Sequence, residues 1–135
     1  VNKALSLGIG AETECNGSRT TALEGCPELA AYVGQVNAFK RRYADILIRG
    51  TFRDTVGASV RGECLYSILE GSGRNRALVL RNPHDRPADA EARLPGATGL
   101  RLVLWRPFTC ERRIRALPLS LRLKPCEAAV LLARA

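Results

Sequence analysis

Glu12, Glu14 and Asn16 place two carboxylates and a carboxamide directly after the short alternating run Lys3 to Ile9. Such side chains just past the carboxyl end of a parallel strand face the crevice in which barrels and open sheets bind ligands, so the three are candidate substrate contacts through hydrogen bonding. Their spacing limits the chemistry. Hydrolytic carboxylate pairs face each other across a substrate from separate elements, and residues at i and i+2 of one loop do not. The competing reading is a solvated loop.

His84 and Asp85 are the next acid–base candidates, in the turn NPHDRP. A nucleophile is required beside them, and no recognisable motif supplies a Ser or Cys, so a turn-stabilising Asp and an exposed His are favoured. Trp105 and Tyr66 offer aromatic faces of the kind that stack on sugars, but a single Trp in an apolar strand reads first as core or inter-domain packing. Lys40, Arg41 and Arg42 read as the solvated face of a helix. Gly8 and Gly10 fall short of any phosphate-binding loop or dinucleotide fingerprint, so no cofactor is expected. Five cysteines, Cys15, Cys26, Cys64, Cys110 and Cys126, contain no close-spaced pair and have one His for company, which argues against a zinc site. They read as buried, reduced thiols, with a Cys15–Cys26 bridge as the alternative for an exported protein. No catalytic residue and no metal ligand is assigned.

The elements that must position these residues are organised around Pro27 to Asp54. Leu29, Tyr32, Val33, Val36, Phe39, Tyr43, Ile46 and Leu47 recur in steps of three and four and predict one long amphipathic helix. Pro27 suits its first turn, and Gly50 stands where a left-handed residue commonly ends a helix. Before it, Lys3 to Ile9 reads as a strand and Gly10 to Cys26 as a long polar loop, together a βα unit that cannot close a sheet alone. After it, Val60–Glu70, Arg76–Arg81, Ala88–Leu94, Arg101–Arg106, Arg112–Leu117, Leu119–Leu123 and Ala128–Ala133 read as short strands separated by Gly and Pro turns. The expected fold is therefore mostly β with one long helix: residues 1–50 a terminal strand–loop–helix of a (β/α) barrel, residues 51–135 an antiparallel β-sandwich. Tyr32, Phe39, Tyr43 and Phe52 are the aromatics expected to pack between the two parts. On this reading the apolar face from Leu29 to Leu47 covers a barrel and is orphaned without it.

Apolar content of 46% and charged content of 25% suit a folded globular chain. The net charge of +8 is almost all arginine, and the arginines alternate with apolar residues along strands instead of clustering, which argues against a nucleic-acid binder. No apolar run reaches membrane-spanning length and no signal peptide is legible, so a cytoplasmic location without membrane attachment is expected. The absence of methionine, with secondary structure legible from Val1 onward, suggests a piece of a longer protein.

Taken in order, KALSLGIGAETECNG, AYVGQVNAFKRRYADILIRGTFRD, ALVLRNPHDRPADAEARLP and LRLKPCEAAVLLARA resemble the C-terminal region of TIM-barrel glycoside hydrolases of the α-galactosidase-like and related bacterial type. The joint RRYADILIRGTFRD, the turn RNPHDRP and the final strand LKPCEAAVLL carry the likeness, which runs through nearly the whole chain. The resemblance implies a last barrel strand and helix followed by an antiparallel sandwich, in a hydrolase of carbohydrate metabolism whose catalytic carboxylates lie on earlier strands. Partners would then be the remainder of the barrel and, in the intact protein, a carbohydrate substrate. A free-standing sandwich that binds a sugar or a protein is the rival expectation.

Overall fold

The computed structural model describes residues 25–135, so Glu12, Glu14, Asn16, Cys15 and the strand expected over Lys3 to Ile9 lie outside the described residues. Helix α1 (Pro27–Arg42) and a short α2 (Ala44–Leu47) precede nine strands. These are β1 (Thr51–Phe52), β2 (Ser59–Gly62), β3 (Leu65–Glu70), β4 (Arg76–Arg81), β5 (Ala88–Arg93), β6 (Arg101–Trp105), β7 (Arg112–Ile114), β8 (Leu119–Leu123) and β9 (Ala128–Arg134). They form two antiparallel sheets, a large one ordered β1-β3-β4-β9-β6-β7 and a small one ordered β2-β5-β8.

Hydrophobic patterning explains the layering. β4 and β9 are apolar at nearly every position because the large sheet is covered on both faces. Leu78, Leu80, Ala129 and Leu131 point to the small sheet, where they meet Ala88, Ala92, Leu119 and Leu123 in one core. Ala77, Val79, Val130 and Leu132 point the other way, to Val36, Phe39, Tyr43, Ile46 and Leu47 of the helices. The small sheet is covered once. In β5, Ala88, Ala90 and Ala92 are buried while Asp89 and Arg93 are exposed, the alternation its sequence showed.

Four features depart from the sequence reading. The apolar face of the helix is not orphaned: its half from Val36 onward seals the outer face of the large sheet, an apolar surface that needs a cover as much as the helix does. The helix also breaks at Tyr43, which has φ −118° and ψ 40° and whose phenol is held by Glu111. The stretch read as one strand from Val60 to Glu70 is two strands in different sheets. Gly62, with φ 113° and its α-carbon against Asp89 O, lets the chain leave β2 and cross to β3. Gly50 does not adopt a left-handed conformation. It is required for space, because a Cβ there would collide with Ile46 O and Glu70 O.

Candidate functional site

The densest set of polar and aromatic side chains lies between α1 and the connection from β6 to β7. Phe39 stacks on Trp105 with ring centroids 4.3 Å apart and planes inclined by 11°. Both rings are nearly buried, Phe39 at 4% and Trp105 at 6% exposure, so Trp105 holds the helix to the sheet and offers no free face to a sugar. Tyr66 sits on the other side of the sheet, half-buried against the inter-sheet core, and is not brought near Trp105.

Beside the stack, Glu111 joins the helix to the loop before β7. Its Oε2 accepts the Tyr43 hydroxyl at 2.6 Å and its Oε1 accepts Arg42 Nη1 at 3.0 Å. Burial first, and then the bond to Glu111, pushes the Tyr43 phenol above its usual range. The Arg42 and Arg134 guanidinium carbons stand 5.6 and 5.3 Å from the centroid of the Tyr43 ring. Between these groups and the loop is a cavity of about 390 Å³ lined by Gln35, Phe39, Arg42, Phe108, Thr109 and Glu111.

Phe108 marks the rim of this cavity. Its φ is 57°, a left-handed conformation uncommon for a bulky residue and worth about 1–3 kcal/mol of strain. The conformation is held locally: Phe108 N donates to Gln35 Oε1 at 2.8 Å, and Thr109 Oγ1 donates to Arg106 O at 3.0 Å. The ring stays 62% exposed and faces Tyr32 at 6.0 Å between centroids. Burial, then the nearby charge of Glu127, raises the Tyr32 phenol to about 12.

The other sequence candidates are dispersed. Of the aromatics expected to pack between two parts, Phe39 and Tyr43 lie under the helix, Tyr32 is half-buried beside Phe108, and Phe52 on the edge strand β1 is 43% exposed. His84 and Asp85 form no catalytic pair. His84 N donates to Asn82 Oδ1 at 3.0 Å and its carbonyl accepts Cys126 N at 2.9 Å. Asn82, which the sequence reading passed over, organises the turn: at 1% exposure its amide nitrogen donates to Arg86 O at 2.7 Å and Lys124 O at 2.9 Å. An Asn before Pro between two strands was the available signal. Cys26, Cys110 and Cys126 are exposed, contrary to the expectation of buried thiols, and only Cys64 among the described cysteines is buried. The described residues contain no cluster of His, Cys, Asp and Glu suited to a metal ion. None of the described helices is long and apolar enough to cross a membrane.

Comparison with protein-family models, curated proteins and solved structures finds no match.

The described carboxylates share a circumstance that bears on chemistry. Glu63, Glu70, Asp89, Glu91, Glu111 and Glu127 each contact an arginine at 2.6 to 3.3 Å. Glu127 is the best held. Burial raises its carboxyl, but the hydrogen bonds from Arg106 and from Lys124 N outweigh it and leave the group below its usual range. Glu63 is likewise lowered, by its bond from Arg86. A carboxylate held ionised in this way is a poor proton donor at neutral pH.

Proposed function

We propose that this chain is the C-terminal part of a glycoside hydrolase-like protein, in which two packed antiparallel sheets form a supporting sandwich and α1 with the residues before it belongs to a terminal βα unit of a barrel. The observation that carries the supporting role is the Phe39–Trp105 stack with the Tyr43–Glu111–Arg42 cluster, which makes the helix and the large sheet one body. A helix clamped in this way transmits the position of whatever precedes it to the sheets. The paired state of the carboxylates supports a role outside acid catalysis, since a general acid needs a carboxyl raised towards neutrality and its partner must face it across a substrate. Hydrolysis would then be carried by carboxylates outside the described residues, with the remainder of the barrel as partner and a carbohydrate as substrate. A panel of aryl glycosides tests this: the isolated chain is expected to give no turnover above buffer, and turnover that scales with its concentration overturns the supporting role.

One observation favours a second reading, a sandwich module that binds sugar by itself. Phe108 is a strained, exposed ring beside a polar cavity, the arrangement of a stacking platform. Phe108→Ala that removes an affinity for neutral oligosaccharides selects this reading. Absence of such affinity in the parent chain rejects it.

A further inference from the structure

β7 and β8 are both edge strands, one of the large sheet and one of the small, so the inter-sheet core opens to solvent where they approach each other. A cavity of about 370 Å³ lies at this opening, lined by Arg106, Thr109, Cys110, Arg112, Ser120 and Arg122, with Leu104 and Leu121 also contributing. Three guanidiniums and two hydroxyls thus line one concavity, and no carboxylate shares the lining. Register explains their convergence. Arg112 pairs with Leu104 and stands two residues from the buried Ile114, so it occupies the face of β7 turned to the small sheet. Arg122 follows Leu121 on the edge of β8. Arg106 is fixed from behind, donating from Nε and Nη2 to Glu127 at 2.9 and 2.6 Å and from Nη2 to Arg122 O at 3.1 Å.

Compensation of the other two arginines is slight. Arg122 meets Asp89 at 3.3 Å with both side chains about seven-tenths exposed, where an ion pair is screened. Arg112 has no recorded hydrogen bond or ion pair among the described residues. Like charges gathered in one depression repel, and in a sequence with neutral alternatives that arrangement is the mark of a place for an anion. Guanidinium forks match the planar pair of carboxylate oxygens or the oxygens of a phosphate, and hydroxyls of Thr109 and Ser120 donate to the same acceptors.

We propose that the opening between β7 and β8 is a binding site for the oxyanion group, phosphate or carboxylate, of a small molecule. Arg112 and Arg122 supply the variable charge and Arg106 the fixed one. The site is on the opposite side of the large sheet from the helix clamp and stands independently of the glycosidase-like reading.

Titration calorimetry on the full 135-residue chain tests it with glucose 6-phosphate, glucuronate and uncharged glucose as probes. At least one of the two anions is expected to bind about tenfold or more tightly than glucose, and the tighter of the two identifies phosphate or carboxylate as the source. Binding that weakens as salt rises is expected with it. The exposed double substitution Arg112→Ala with Arg122→Ala is expected to abolish the preference while the thermal midpoint stays near that of the parent chain. Asp89→Asn, which frees Arg122 from its competing carboxylate, is expected to tighten anion binding severalfold, a gain that misfolding cannot produce. Failure of both anions to bind better than glucose, an unchanged affinity in the double variant, or no gain from Asp89→Asn each overturns the proposal.

Discussion

At the scale of single residues, two polar side chains secure the ends of strands. Asn82 is almost fully buried and satisfies two carbonyls and one N–H across the turn. Asn82→Ala leaves these groups unpaired and is expected to lower stability by about 2–4 kcal/mol, measured by urea denaturation. Glu127 closes the turn before β9 by accepting Lys124 N at 2.7 Å as well as Arg106. Its carboxyl has a lower pKa in the folded chain than in the unfolded one, so its contribution is fully present above the ordinary value of 4.5 and fades as pH falls through the lower folded value. Denaturation between pH 6 and about pH 3 is therefore expected to show a fall in stability that Glu127→Gln flattens, with the variant less stable at pH 6. Cysteine chemistry follows exposure. Cys110 and Cys126 are expected to alkylate within the native state, whereas Cys64, buried and with its thiol raised first by burial and then by Asp89 and Glu63, reacts only on unfolding.

At the scale of elements, the helix and the large sheet stand or fall together. Phe39→Ala removes one ring of the stack and opens a cavity under α1, at a cost of about 3–5 kcal/mol. Because Trp105 is the only Trp, its emission reports this interface directly and is expected to shift to the red in the variant. An unshifted spectrum with unchanged stability would contradict the packing described. Much of this organisation was legible. Helical spacing from Leu29 to Leu47 marked the right face, the β3–β4 hairpin followed from GSGRN, and the strict alternation of ADAEAR marked a strand covered once. The runs RALVLR and AAVLLA showed strands buried on both faces without saying what covered the second face. The helix was the answer, and only long-range packing could show that. Other features escaped because their signals are not periodic: Gly62 changes sheets through a local contact with Asp89 O, and β1 has only two residues. The arginine-lined opening was invisible in sequence, since Arg106, Arg112 and Arg122 converge only through the register of three strands. Dispersed arginines along the chain were evidence of separation that folding reversed.

At the scale of the whole molecule, the described residues form a helix clamped on a six-stranded sheet that is itself packed on a three-stranded one. The chemistry on view is that of positioning: aromatic stacking, arginine–carboxylate pairs and a turn held by a buried amide. The carboxylates that sequence reasoning placed against a substrate, Glu12 and Glu14, belong to the part outside the described residues, and so does the barrel strand expected to carry them. The glycosidase-like proposal thus turns on what is encoded before the helix. Sequencing the DNA immediately upstream of the Val1 codon is the most direct test. The account predicts an uninterrupted reading frame with alternating strand and helix patterns and acidic residues at the strand ends; an in-frame stop just upstream, with the Val1 codon serving as the start, would contradict it.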